Sequence, residues 1–307
     1  MVSDCVTRLA ICLVLLGAGR AFGEPAAKLS AAHSVEVFQG ELAELKIAGH
    51  GLSAVEAKMG AESIPFYPNT DGAFTALVGV DLEAAPGWAK VLVRTTTRAG
   101  THRQTRIMLK IKPKSFPQES FSVATEFEPF GPEVLERIRR EQKQFSSVFA
   151  LSTPQRLWDG PFVPPVAGGV TSPFGFRRVI NGIPRAPHTG VDLKAPLGTE
   201  VLAANHGRVA LTGDFFFSGK SLVLDHGGGL YTSYFHLSEF KVDAGSEIRK
   251  GEVVALSGMT GRVTGPHLHW GARINGARVD PFNLIEKLAR NPEKPRRSNA
   301  KAGGGEN

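Results

Sequence analysis

The stretch GPHLHW, residues 265–270, places two histidines one residue apart between a proline and a tryptophan. Residues two apart on a β-strand project from the same face. We therefore predict that His267 and His269 point to one side of a strand while Leu268 points to the other. Two imidazoles on one face repel each other when both are protonated, so the pattern favours a metal ion that holds one of them neutral.

A second stretch, PHTGVD, supplies further candidate ligands. His188 and Asp192 are separated by three residues, and the surrounding prolines together with Gly190 argue for a turn rather than a helix. With His269, the set reaches two nitrogens and one oxygen, which leaves a fourth tetrahedral position for water. This is the composition of a catalytic zinc site. Non-haem iron also uses two histidines and a carboxylate, so iron remains an alternative.

The aromatic stretch LYTSYFHL carries a third candidate. Strand alternation predicts that Thr232, Tyr234 and His236 share the face of a polar cleft. Tyr231 and Phe235 are then expected to pack inward. Taken alone, His236 fits a buried structural histidine better than a catalytic one.

Five other histidines are assigned no chemistry. His206 and His226 fall at predicted strand ends away from these motifs, and we expect neither to be a ligand. His33, His50 and His102 are isolated in loops or strand ends of the amino-terminal region, where we expect a surface role.

Taken in order, these motifs resemble one known family. The resemblance runs from about Val170 to Phe282 and includes TSPFGFRR, the H-x-x-x-D pattern, DHGGGLYTSYFHL and SGMTGRVTGPHLHW. It is to the lysostaphin-type zinc endopeptidases, also called LytM-like peptidases, family twenty-three of the metallopeptidases. Several separated motifs in the family's order are far more specific than a lone H-x-H pair.

The resemblance implies roles for five residues. His188, Asp192 and His269 match the ligands of one zinc ion per chain, and His236 and His267 match the catalytic histidines that flank it. It also implies a substrate, the peptide cross-links or stems of bacterial peptidoglycan, cut by hydrolysis with a zinc-activated water. The alternative is a non-hydrolytic peptidoglycan-binding protein or amidase activator of the same fold. Every polar position is filled, which counts against the family's inactive branch.

The chain has 307 residues, of which 42% are hydrophobic and 21% charged, which excludes wholesale disorder and a polytopic membrane protein. We expect a mainly β protein with an Ig-like β-sandwich, a helical linker and an antiparallel peptidase sheet. No phosphate-binding loop or strand–helix alternation occurs, which argues against a nucleotide or nucleic-acid partner. The predicted divisions are a signal peptide at 1–23, a sandwich at 24–113, a linker at 114–165, a zinc peptidase domain at 166–287 and a disordered basic tail at 288–307.

An export signal is predicted at the start of the chain. Arg8 precedes the apolar run LAICLVLLGAG, and Ala21 and Gly23 occupy the positions read by a signal peptidase. The run is short for a membrane anchor, which is the alternative. Both cysteines, Cys5 and Cys12, lie in this segment, so the exported protein needs no disulfide. We expect a periplasmic or cell-envelope location, or secretion.

The amino-terminal region alternates polar and apolar residues between turns, as in SVEVF and WAKVLVRTT, and predicts the sandwich. It could serve as an inhibitor, a spacer or a binding surface for an envelope protein. In the linker, Pro132 and an apolar stripe ending at Phe149 predict one amphipathic helix packed on a domain. The segment PFVPP, residues 161–165, predicts a stiff spacer.

Overall fold

The computed structural model describes residues 33–69, 71–122, 130–151 and 153–289. Strands dominate the described chain, so the predicted mainly β class is confirmed. The predicted signal peptide lies outside the described residues, as does the predicted tail from residue 290 onward. No helix in the described parts of the chain is long and apolar enough to cross a membrane.

The amino-terminal region folds as two sheets that enclose one core. The first, here the outer sheet, has the strand order β1-β8-β7-β3-β4, and the second, the inner sheet, has the order β2-β6-β5. Alternate residues face inward, so that Val37, Leu45 and Val91 are buried between the sheets. Strands β1 and β8 pair in parallel. The Ig-like topology stays a prediction. The bounds are β1 Ser34–Phe38, β2 Leu42–Ile47, β3 Leu52–Met59, β4 Glu62–Pro65, β5 Tyr67–Pro68, β6 Phe74–Gly79, β7 Gly87–Thr97 and β8 His102–Lys112.

The carboxy-terminal region is built on a main sheet in the order β10-β13-β20-β17-β16-β15-β18, to which β14, β19 and β21 are joined. Its central strands are nearly continuous in buried residues, because both faces are covered. The bounds are β10 Val170–Ser172, β13 Val191–Leu193, β14 Glu200–Leu202, β15 Gly207–Phe215, β16 Gly219–Asp225, β17 Leu230–Phe240, β18 Glu247–Ile248, β19 Val253–Ser257, β20 Leu268–Ile274, β21 Ala277–Val279 and helix α2 Pro281–Ala289.

A small third sheet joins the predicted linker to the carboxy-terminal region. Strand β9, Gln118–Phe121, pairs in parallel with β11, Arg177–Ile180, which forms a hairpin with β12, Ile183–Pro184. The linker thus contributes a strand beside the loop that carries His188.

Helix α1, Pro132–Ala150, begins at a proline, as predicted. Its apolar stripe packs on the main sheet: the ring of Phe145 lies 4.6 Å from that of Phe215 and 5.7 Å from that of Phe235, measured between centroids. The carboxylate of Glu141 accepts a hydrogen bond from the backbone N–H of Phe216 at 2.8 Å. The prediction that this helix packs on a domain is confirmed.

The predicted spacer at 161–165 is wrong. Phe162 is 2% exposed and belongs to the core of the main sheet, as does Trp158 just before it. The backbone N–H of Val163 also donates to the carbonyl of Ala204 at 3.0 Å. Prolines stiffen this segment, but burying the large apolar side chains beside them is more favourable in free energy than leaving them in water.

The two regions share a tightly packed boundary. Leu42, Leu77 and Leu82 of the amino-terminal region belong to the same hydrophobic core as the main sheet. The guanidinium of Arg278 donates to both carboxylate oxygens of Asp81, at 2.6 and 2.8 Å. The inner sheet is therefore fixed against the main sheet.

Candidate metal centre

Three of the predicted residues converge at one point of the main sheet. Strands β13 and β20 pair so that Asp192 lies directly opposite His269. Asp192 Oδ1 is 2.9 Å from His188 Nε2 and 3.0 Å from His269 Nδ1, and the two nitrogens are 2.9 Å apart. All three ligand atoms are close enough to share one metal ion.

Backbone bonds place His188 beside this strand pair. Its carbonyl accepts from the N–H of Gly175 at 2.8 Å, and its own N–H donates to the carbonyl of Phe176 at 2.9 Å. On the ring, Nδ1 lies 2.9 Å from the carbonyl of Pro173. A carbonyl can only accept, so Nδ1 carries the proton and Nε2 presents its lone pair to the site.

The chemistry of these donors fits a cation. Burial opposes ionisation of Asp192, but the adjoining rings of His188 and His269 outweigh burial and hold the pKa of Asp192 well below its usual range. Burial also lowers the pKa of His269, which favours its neutral form. Electron-rich atoms that converge in this way repel each other unless positive charge lies among them. Two imidazole nitrogens and one carboxylate oxygen match the protein ligands of an open zinc site.

His267 lies at the edge of this cluster. Its Nε2 is 3.7 Å from Asp192 Oδ1, and its Nδ1 donates to the carbonyl of Gly265 at 2.9 Å. An isolated bridge to Gly258 fixes its backbone, and Leu268 points into the core on the other face. The prediction that the two histidines of the H-x-H pair share one face is confirmed.

His236 also reaches the site, but not by the predicted alternation. Tyr234 is fully buried in the core, whereas Phe235 lies directly opposite His269 and stacks on its ring with centroids 5.2 Å apart. The prediction that Tyr234 and His236 share the cleft while Phe235 packs inward is wrong. His236 has a φ of 63°, and the strand register shifts here, so a bulge turns its side chain back toward the site.

The ring of His236 is then held in a fixed orientation. Its Nδ1 donates to the carbonyl of Thr260 at 2.9 Å, and its centroid lies 4.8 Å from that of His267. Burial lowers the pKa of His236 to about 4, so the imidazole is neutral at neutral pH. Its Nε2 therefore presents a lone pair.

Gly190 has a second role beside the predicted turn, which the structure shows as a bend just before β13. A Cβ at this position would lie 2.6 Å from His269 Nε2 and 2.5 Å from the carbonyl oxygen of Trp270. Gly190 is thus needed because the ring of His269 lies against the backbone. Spacing alone gives no signal for this, because the contact joins residues far apart in the chain.

His206 and His226 lie elsewhere. His226 is fully buried, and its Nδ1 donates to the carbonyl of His206 at 2.7 Å while its Nε2 bonds to Thr232 at 2.7 Å. His206 accepts from the N–H of Lys250. Both take part in internal hydrogen bonds that support the main sheet.

A cavity of 480 Å³ adjoins the metal centre on the side covered by α1. His269 and Phe235 form one end of it, and Arg273 also lines it. No pattern in the sequence indicates this cavity, because α1 is separated from β20 by more than a hundred residues.

Comparison with known proteins places these features in a family. The family model described as Peptidase family M23 matches residues 186–281. A crystal structure of a putative peptidase M23 from Pseudomonas aeruginosa is 30% identical with a TM-score of 0.64, covering 82% of this chain and 95% of that one. The chain belongs to peptidase family M23.

Curated relatives match over a shorter stretch. A DD-carboxypeptidase/endopeptidase, Mpg, of Neisseria meningitidis is 42% identical over 115 residues, or 38% of this chain and 26% of that protein. The peptidoglycan DD-endopeptidase ShyA of Vibrio cholerae is 39% identical over 121 residues, or 39% of this chain and 28% of that protein. The matched part of the chain thus spans about a quarter of the length of these relatives.

Proposed function

We propose that this protein is an exported zinc metalloendopeptidase that hydrolyses peptide bonds in peptidoglycan cross-links or stems. The observation that carries the proposal is the convergence of His188, Asp192 and His269, with the Nε2 atoms of His236 and His267 beside them. Membership of family M23 supports a peptidase, and relatives named as peptidoglycan endopeptidases support the substrate class.

In this proposal His188, Asp192 and His269 hold the zinc ion. The ion supplies Lewis acidity, which activates water and polarises a peptide carbonyl near neutral pH. Asp192 contributes one negative charge because its pKa is held low, and buried His269 contributes none. The protein ligands thus leave a net positive charge at the centre.

His236 and His267 are the proposed catalytic histidines. Each uses its Nδ1 proton on a backbone carbonyl, which fixes the ring and leaves Nε2 as a proton acceptor. The pair therefore offers one base to take a proton from the attacking water. The proton it gains is then available to the leaving amine.

Export is part of the proposal. The apolar run LAICLVLLGAG behind Arg8 supports a leader, and a peptidoglycan substrate requires a location in the periplasm or cell envelope, or outside the cell. Peptidoglycan is the proposed binding partner, and the amino-terminal sheets are available to an envelope protein.

The test is incubation of the purified chain with defined muropeptides, with and without a chelator, followed by mass spectrometry. We expect a cleaved peptide bond, loss of cleavage on chelation, recovery with zinc, and zinc rather than iron by elemental analysis. If neither intact wall nor fragments change, the hydrolase proposal fails.

A variant separates catalysis from binding. His267→Ala should retain zinc while the rate falls about 10²- to 10⁴-fold, because a proton acceptor is lost and no ligand is removed. The matched control is His102→Ala at an exposed position of β8, which should leave the rate unchanged. If the role of the protein in the cell were undiminished in His267→Ala, this result would favour a non-hydrolytic binder or amidase activator.

A further inference from the structure

The cavity beside the metal centre has a cationic side chain at one end and a proposed zinc ligand at the other. Its walls come from α1 and from strands β17 and β20. The lining residues that matter here are Phe145, Phe149, Ser233, His269, Gly271 and Arg273.

Arg273 lies on the same face of β20 as His269, because residues two and four apart along a strand point the same way. Four residues of extended chain span about 13 Å. The Arg273 guanidinium lies 4.6 Å from the ring centroid of Phe149, and its Nη1 donates to the carbonyl of Gly276 at 3.0 Å. The contacts with Phe149 and Gly276 thus hold the guanidinium at the wall of the cavity.

No carboxylate forms an ion pair with Arg273 among the residues that the structure describes. The neighbouring Arg278, by contrast, pairs with both Asp81 and Glu83. A guanidinium has five N–H donors in a planar fork, and one backbone carbonyl and one aromatic ring leave several of them for a ligand. Burial lowers the pKa of Arg273, although an arginine remains cationic at neutral pH.

The floor of the cavity is open between the two ends. Gly271 stands between His269 and Arg273 on the same face, and a Cβ there would meet nothing nearer than the carbonyl oxygen of Thr189 at 3.6 Å. A Cβ there would make ordinary van der Waals contacts rather than a clash, so glycine keeps this part of the cavity floor low without being sterically required. Helix α1, which covers the cavity, is held in place because Phe145 packs against Phe215 and Glu141 accepts a hydrogen bond from the N–H of Phe216.

We propose that this cavity is a substrate subsite and that Arg273 binds a carboxylate of the peptide there. The inference rests on the proposed peptidase function and deepens it by naming a chemical preference. A carboxylate is the anion that a peptide itself carries, and the guanidinium fork matches its two oxygens. An extended peptide advances about 3.3–3.6 Å per residue, so the carboxylate lies within about four residues of the scissile bond.

The experiment compares two sets of peptides built around the bond that the protein cuts. The peptides are otherwise neutral and differ only in one group, a carboxylate or a carboxamide, placed one to four residues from that bond. For the full chain we expect kcat/KM to be at least about tenfold higher with the carboxylate at one of these positions, as for a hydrogen-bonded charge. The difference should lie mainly in KM, because Arg273 is remote from the reacting atoms.

Two variants test the residue and the cavity separately. Arg273→Gln should reduce the preference for the carboxylate peptide to within about twofold, and kcat/KM for the carboxamide peptide should change far less. Gly271→Leu should also reduce the preference, because the leucine side chain would fill the cavity between His269 and Arg273. The matched control is Arg208→Gln, whose guanidinium also donates to a backbone carbonyl but lies on strand β15. It should keep the wild-type preference, and all three variants should keep their zinc content.

Calorimetry supplies a readout that does not depend on cleavage. Chelated protein should bind the carboxylate peptide about tenfold more tightly than the carboxamide peptide, and Arg273→Gln should not. Equal cleavage and equal binding of the two peptides by the wild type would overturn the inference, as would a preference that survives Arg273→Gln. Failure to cleave any peptide would instead count against the proposed function, while calorimetry would still decide the subsite.

Discussion

The amino-terminal sheets and the main sheet are both built from alternating strands, but they differ in what they bury. Among the described residues of the amino-terminal sheets, the buried polar side chains are Thr75 and Thr95. The carboxy-terminal region buries Asn205, Ser221, Asp225, His226, Thr232, Ser233, His236, Ser257, His269 and Asn283. Burying polar groups costs free energy unless each finds a partner. The main sheet, which also carries the candidate metal centre, is therefore the more constrained in its packing.

The partners of these buried groups show how that constraint is met. Asp225 accepts from the hydroxyl of Thr153 and from the N–H of Gly227, and His226 is bonded through both ring nitrogens. The amino-terminal core has few such groups, and one of them, Thr75, accepts a hydrogen bond from the Asn69 amide, so hydrophobic contact dominates its stabilisation. Substitutions near the metal centre should thus have larger effects than similar ones elsewhere.

The largest of these effects is expected at Gly190. In Gly190→Ala the added methyl group would overlap the ring of His269 and the backbone of Trp270. Displacing a ligand's support should weaken zinc binding about 10- to 100-fold, with a matching loss of hydrolysis. Zinc competition titration measures the change. The control is Gly169→Ala, where a Cβ meets nothing within 4 Å. Wild-type zinc affinity in Gly190→Ala would show that the site is less constrained than the comparison implies.

A smaller effect is expected from acid. Burial lowers the pKa of His226 from 6.5 to about 4, so the unfolded chain binds a proton that the folded one does not. The stability due to this residue is complete above pH 6.5 and is lost as the pH falls toward 4. Between pH 7.5 and 5.5 the titration of this residue should therefore lower the free energy of unfolding by about 1 kcal/mol.

The measurement is urea unfolding of zinc-free protein at both pH values. His226→Gln should be less stable at pH 7.5 but lose less stability at pH 5.5 than the wild type does. The other histidines titrate in both proteins, so the difference isolates His226. Identical pH dependence would place the acid sensitivity outside this buried network.

The smallest effect is expected at the boundary between the two regions. Asp81→Ala removes the carboxylate that accepts three hydrogen bonds from Arg278, two from the guanidinium and one from the backbone N–H, and both side chains are partly exposed. We expect the free energy of unfolding to fall by about 0.5–1 kcal/mol with hydrolysis retained. Glu83→Ala, which removes a more exposed partner, should change it less. An unchanged stability in Asp81→Ala would mean that the shared apolar core and the other hydrogen bonds across the boundary, such as that from the Asn275 amide to the carbonyl of Leu77, are sufficient to join the regions.

Spacing in the sequence was sufficient for part of the candidate site. The H-x-H pair required only strand alternation, and His267 and His269 do share a face. For His236 the same rule failed, because alternation assumes an uninterrupted extended backbone. A positive φ and a register shift reverse the side chain at that point, and neither is visible in the spacing.

The prediction for the proline-rich segment was wrong for a related reason. PFVPP is stiff whether or not it is packed, and only the space beneath it decides that Phe162 is buried. The same holds for α1, whose stripe predicted a packed helix but not the strands that it covers.

By itself, the sequence determined the mainly β class, the pair of histidines on one strand and the start of α1, because each depends on neighbours a few residues apart. Only the tertiary structure decided that Asp192 lies opposite His269, that Gly190 must leave room for an imidazole, and that Arg273 shares a cavity with the metal centre. These are contacts between residues distant in the chain. Their distances are set by strand register and by the packing of α1, which no local pattern records.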